Sequence, residues 1–259
     1  MDNRTNSPFE NHGIDHLSAS TINAWVYDPA SYLAGLAGVT SVFGPAAWRG
    51  TATEKGIQSA ITTDDDYHIF AMQSFDTERK EKGNSFKDAT IQKERAALPT
   101  YIENGLDLYR TLGQPEAYQK KIVVDVDDLE IPFVGYIDFV YPTAIRDTKT
   151  SGKKPSKISA GHCRQLAVYA WAYPDRECWV DYITPKECVS WKVTQIEKWQ
   201  EQVRTVALGL RKFLSYSDST LELCSLFYPN IDDWKWNRET IEQSTTIWSI
   251  IDDRPETIQ

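Results

Sequence analysis

The chain has 259 residues, 41% hydrophobic and 25% charged, enough to bury a core without disulfides. Its net charge of -9 argues against a protein that coats nucleic acid through bulk positive charge, though not against a local basic groove beside carboxylates that hold a cation. No apolar run suits a signal peptide or a membrane span, and Cys163, Cys178, Cys188 and Cys224 lack CxxC spacing, so the reading is a cytoplasmic protein with reduced, mostly buried thiols.

Residues 1–16 are polar and read as a loose terminus. Ser18 or Ser20 caps a helix bearing Ile22, Trp25 and Val26, which Asp28-Pro29 ends. The stretch Leu33 to Pro45, with three glycines, reads as a loop. In the segment after Arg49-Gly50, Thr51 is placed to cap a helix with Glu54 three residues on, as in a capping box. A helical pattern runs from Phe86 to about Leu112, interrupted at Pro99, within a helical insert of about 62–120.

The period then changes. Lys121 to Asp127, Ile131 to Tyr141 and Ala144 to Thr150 read as three strands of an antiparallel meander. His162 to Tyr173 is apolar almost all round, as a buried helix is. Glu177 to Thr184 and Glu187 to Lys192 read as strands, and Thr194 to Leu214 as a long amphipathic helix. The domain expected from this order spans 17–215, with a C-terminal extension, 216–259, packed on it. In that extension Trp234, Trp236 and Trp248 serve either as a packed cap or as stacking platforms for bases.

The chemistry concentrates on Asp138, Asp147 and Lys149. Asp147 and Lys149 are two apart on one strand and share a face, and a short hairpin brings Asp138 beside them. Adjacent carboxylates repel, and a hard cation such as Mg²⁺ reverses that cost while retaining waters, one of which can attack a phosphodiester. Lys149 is then placed to orient or deprotonate that water and to offset phosphate charge. An isolated Asp-x-Lys is more often an ordinary solvated strand. Here it lies among apolar strands.

Gly135-x-x-Asp138, Asp147-Thr148-Lys149-Thr150 and Gln165-x-x-x-Tyr169 follow in order. In this the chain resembles the PD-(D/E)xK nuclease superfamily, in the branch typified by RecB nuclease domains and phage exonucleases. The helix start Leu17-Ser-Ala-Ser and the Arg49-Gly50-Thr51 segment agree with that branch, and the resemblance spans about Leu17 to Val193 apart from the insert. It implies an α/β fold: a restriction-endonuclease-like core with a central mixed sheet of four to five strands, flanked by helices. It implies a metal-dependent DNA nuclease, more an exonuclease than an endonuclease, acting in recombination, repair or phage DNA processing. Metal ligands would be Glu54, Asp138, Asp147 and the Thr148 carbonyl, with Mg²⁺ as the ion and Mn²⁺ as a substitute. Lys149 would serve the attacking water, and Gln165 and Tyr169 would place the substrate. Arg49, Thr51, Ser151 and Arg164 would add DNA contacts.

Two departures from the family pattern stand out. Glu54 occupies the place of the usual metal-binding histidine, so it reads either as a ligand or as a helix cap. Asp28-Pro29 replaces the Cys-Pro of the iron–sulfur branches, so no cluster is expected. Lys153, Lys154 and Lys157 read equally as phosphate contacts or as a solvated loop. DNA is the expected partner, with any recombination or single-strand-annealing protein on a separate chain and no membrane. The alternatives are a non-catalytic DNA-binding or scaffold module on a nuclease fold, and a sequence-specific endonuclease.

Overall fold

A computed structural model describes residues 7–40, 43–63, 66–82, 86–233 and 235–250. Among these, the elements in chain order are α1 (Pro8–Asn11), α2 (Ala19–Tyr27), α3 (Pro29–Leu36), α4 (Pro45–Thr62), α5 (Tyr67–Lys82), α6 (Asp88–Leu112), β1 (Ala117–Val124), β2 (Phe133–Val140), β3 (Ala144–Thr150), α7 (Ala160–Ala172), β4 (Glu177–Ile183), β5 (Cys188–Lys192), α8 (Ile196–Leu214), α9 (Thr220–Cys224) and α10 (Arg238–Ser244). They form two compact units. One comprises Met1–Ser41, Asp125–Phe133 and Gln202–Gln259; the other comprises Val42–Val124 and Val134–Glu201. No helix among the described residues is long and apolar enough to cross a membrane.

In the first unit, Ser7 and Glu10 form a capping box around α1, and Phe9 is fully buried. His12 is buried too, its ring bonded to the Thr220 hydroxyl and the Ser217 carbonyl at 2.8 and 2.9 Å. Phe9, His12 and Ile14 are therefore buried where a loose segment was expected, and His12 finds its partners late in the chain. Asp28 ends α2 and, through a 3.0 Å bond from Ser31 N, starts α3, so helix occupies the first part of the expected loop. Trp236 donates to Asp28 and stacks edge-on against Trp248, both rings buried. These two tryptophans are a packed cap rather than stacking platforms. Trp234 lies outside the described residues.

The second unit is α/β. Its five-stranded mixed sheet has the order β1-β2-β3-β4-β5, with β2–β3 antiparallel, β3–β4 parallel and β4–β5 antiparallel. The parallel step needs a crossover, and α7 supplies it. Helices α5 and α6 occupy the stretch that the sequence presents as an insert and pack on α4, and α4 and α6 also pack on the sheet.

The helices depart from expectation at their ends. Helix α4 begins at Pro45 with Gly44 as N-cap, so Thr51 and Glu54 lie mid-helix and form no capping box. A proline at the first position needs no N–H partner, and the buried stripe Trp48, Ala52, Gly56, Ala60 extends back to it. Helix α6 runs unbroken through Pro99: a mid-helix proline costs about 3 kcal/mol, against a continuous buried face of Ile91, Leu98, Ile102, Gly105 and Tyr109. Glycines set the spacing of α4 and α6. A Cβ at Gly56 would fall 2.8 Å from Ile102 Cδ1, and one at Gly105 2.7 Å from Ile57 Cδ1. Strand β1 starts at Ala117, four residues before the expected Lys121, and so takes in residues assigned to the insert.

On the α6 side of the sheet, Arg146 forms a two-pronged ion pair with Asp181 on the parallel neighbour, at 2.8 and 2.6 Å. Asp181 also accepts from Ser190 at 2.6 Å and from the Tyr109 hydroxyl at 2.9 Å. Both charges are buried. Every carboxylate oxygen is thereby satisfied, the condition under which such a pair survives in a core. Removing one partner strands the other: Asp181→Ala is expected to cost about 3–5 kcal/mol in urea unfolding. The paired replacement Arg146→Met/Asp181→Leu is expected to recover most of that loss. A single variant as stable as the parent would show that the pair does not hold the sheet together.

Candidate functional site

The opposite face of the same strand carries the site, and all of its residues belong to the second unit. Phe139 and Arg146 are paired in register, which sets Asp138 across from Asp147. Asp138 does not simply extend the ladder: its Oδ2 accepts from the Thr148 backbone N–H at 2.8 Å. Asp147 is fully buried, and apart from Lys149 neither carboxylate oxygen has a hydrogen-bond partner among the described residues. Its charge partner is Lys149, with Nζ 2.6 Å from Oδ2. Lys149 is half-buried beside it.

Glu54 joins this group from α4. Its field acts on Asp138 and Lys149, and it feels Asp147 in return. Burial first, and then Asp147, push the Glu54 carboxyl up to about 7, against the opposing pull of Gln119 and Lys149. Burial, Asp147 and Glu54 together hold Asp138 well above the ordinary carboxylate range. For Lys149, burial disfavours the charge, but Asp147, Asp138 and Glu54 outweigh it and leave its pKa above the usual lysine value. Lys149 therefore stays protonated in this arrangement, which suits a charge donor better than a base.

The Arg49-Gly50 pair explains how α4 reaches the site. Arg49 is buried, ion-paired to Glu94 of α6, 4.2 Å from the Tyr101 ring centre, and 3.3 Å from the Thr150 hydroxyl. A Cβ at Gly50 would lie 3.2 Å from that hydroxyl. These contacts dock α4 on the end of β3 and set Glu54 one turn further along. They give Arg49 an anchoring part. Arg164 is likewise buried. Thr51 is exposed. The Ser151 hydroxyl turns to the Lys153 carbonyl at 2.7 Å, and the Thr148 hydroxyl to Tyr109 at 2.6 Å. Lys154 is paired with Glu187 at 3.3 Å.

Helix α7 closes the site from the sheet face away from α6. Ser159 caps it by accepting from His162 N. Gln165 and Tyr169, one turn apart, are bonded to each other, Nε2 to hydroxyl, at 2.7 Å. Gly135 makes room for Tyr169: a Cβ there would sit 2.7 Å from the ring. His162, three residues before Gln165, is 2.7 Å from the Tyr182 hydroxyl; burial and the nearby Lys149 lower its pKa to about 4.

Gln119 of β1 is the site residue that sequence reasoning missed. Its side-chain amide donates to Asp138 Oδ1 at 3.1 Å and to Glu54 Oε1. The only sequence signal was position, four residues after Pro115 in a stretch read as insert.

Among the described residues, no group of three or more His, Cys, Asp and Glu side chains is arranged to hold a metal ion. All four cysteines are free; three are buried and Cys188 is partly so.

No protein-family model matches the chain, and no curated protein matches it. A solved structure described as "Crystal structure of SSO0001" aligns with 60% of this chain and 84% of its own, at 15% identity and a TM-score of 0.30. A likeness that low carries no argument about this chain.

Proposed function

We propose that the second unit is a metal-dependent nuclease that hydrolyses DNA phosphodiester bonds. The observation that carries this reading is the Asp147 carboxylate, fully buried beside Asp138 and Glu54, with Lys149 Nζ at 2.6 Å as its charge partner and no further hydrogen-bond donor among the described residues. Burying three carboxylates together against one ammonium costs more than a structural role returns. The Asp147 oxygens, with those of Asp138 and Glu54, make a donor set of the kind that hard cations take. The α/β shape is consistent with a nuclease-type architecture.

In this reading Asp138, Asp147, Glu54 and the Thr148 carbonyl hold Mg²⁺ or Mn²⁺. The bound cation would supply Lewis acidity toward phosphate and lower the pKa of water. Lys149, kept charged by its carboxylate neighbours, orients the attacking water and offsets charge on the phosphate as it builds. Gln165 and Tyr169, held to each other, set the wall against which the substrate lies. The exonuclease preference, and a place in recombination, repair or phage DNA processing beside a separate annealing protein, follow from the family resemblance.

A second reading, a non-catalytic DNA-binding scaffold, is favoured by the lack of a ready-made group of three metal-holding side chains among the described residues. Against it, Mg²⁺ is commonly held by one or two carboxylates, waters and substrate phosphates rather than a protein cage.

The two readings separate in a digestion assay with linear and circular, single- and double-stranded DNA. The nuclease reading expects Mg²⁺-dependent cleavage that Lys149→Ala lowers by about 10²–10³-fold or more. Undiminished cleavage by that variant sinks the assignment, and plasmid cutting would turn it toward an endonuclease. A pH dependence also follows. The Glu54 pKa is raised on folding from 4.5 to about 7, so the stability it contributes is fully present below 4.5 and is lost as pH rises through about 7. In chelator, the melting temperature is expected to fall between pH 5 and pH 8. Glu54→Gln should flatten that fall, and Mg²⁺ should restore more at pH 8 than at pH 5. A metal-free profile that rises over this range would contradict the proposed burial of Glu54.

A further inference from the structure

We infer that Gln119 is a positioning residue for the metal-binding carboxylates, tying Glu54 of α4 to Asp138 of β2 across the sheet edge. The inference rests on the nuclease reading above. Three observations lead to it. The Gln119 amide donates both to Glu54 Oε1 and to Asp138 Oδ1, so one neutral group bridges two side chains that otherwise repel. Its backbone has φ +43, a left-handed conformation inside a strand, where a residue with a side chain is strained. Asp138 has its other oxygen fixed by Thr148 N–H, so the two donors together set the plane of that carboxylate.

The strain has no packing reward to offset it. Gln119 is exposed, and its neighbours Lys120 and Lys121 are exposed as well. What the unusual φ accompanies is the placement of a two-donor amide between the helix and the strand, where it reaches both carboxylates. Glu54 keeps Oε2 free of Gln119, while Asp138 accepts one hydrogen bond on each oxygen and retains a second lone pair on each, an arrangement in which outer hydrogen bonds orient groups that face a cation. Gln119 thereby fixes the most distant member of the donor set. Glu54 comes from a helix, whereas Asp138 and Asp147 are neighbours in one sheet. The residue touches neither substrate nor reacting atoms in this role.

The test is Mn²⁺ titration of the full chain by calorimetry, without DNA, alongside melting in chelator. Gln119→Ala and Gln119→Gly are both expected to weaken Mn²⁺ binding about 10–100-fold, the usual loss when an outer partner of a metal ligand is removed. Gly fits the left-handed backbone and Ala does not, so Gln119→Gly should melt about 2–4 °C above Gln119→Ala while binding Mn²⁺ equally poorly. In a Glu54→Gln background, the further loss from Gln119→Ala should shrink. Folded variants that bind Mn²⁺ as tightly as the parent, or more tightly, overturn the inference and leave the nuclease reading standing. A parent that binds no Mn²⁺, with or without DNA, overturns both.

Discussion

Strand β3 carries Arg146, Asp147 and Lys149 into the middle of the sheet, and the structure is organised around where those charges go. The pleat sends Arg146 to the α6 side and Asp147 and Lys149 to the α7 side. On the α6 side the charge is neutralised completely: Arg146 meets Asp181, which also takes donors from Ser190 and Tyr109. On the other side neutralisation is left incomplete. Asp147 has Lys149 and no further hydrogen-bond donor among the described residues, while Asp138 and Glu54 add two more carboxylates. Two faces of one strand thus differ in kind, one a closed structural network and the other an open set of oxygens.

That asymmetry governs the helices. Tyr109 reaches the closed network because Gly56 and Gly105 let α4 and α6 pack tightly over the sheet. The same packing fixes α4, and Arg49 and Gly50 dock its first turns on Thr150. Glu54 therefore reaches the open face from a helix anchored elsewhere. Local frustration of this sort, in an otherwise well-paired interior, is characteristic of functional sites. The strained backbone at Gln119 is a second instance at the same place.

Much of the core was readable from period and punctuation. Alternating and β-branched runs located four of the five strands to within two residues, and the apolar helix after β3 was found at α7. The antiparallel β2–β3 pairing followed from a short Pro142-Thr143 turn. Boundaries failed where long-range packing overrode local signals. Thr51 and Glu54 mimic a helix start, but the buried stripe of α4 extends back to Pro45. Pro99 signals a break that a continuous apolar face overrides. Strand β1 opens with Ala117-Tyr-Gln-Lys, which lacks β-branched residues, so its first half was indistinguishable from a loop and Gln119 was missed with it.

The sequence by itself determined that Asp138, Asp147 and Lys149 share a strand hairpin and that Gln165 and Tyr169 share a helix face. Those relations span few residues and depend only on the periods of strand and helix. What only the tertiary structure decided are relations between distant segments. Glu54 stands beside Asp138 because α4 docks on β3. Gln119 bridges them because β1 adopts a left-handed kink. Arg49 anchors α4 because Glu94, forty-five residues away, is there to pair with it. No periodicity encodes such distances. They arise when separate elements bury their apolar faces together and bring along the polar residues between them.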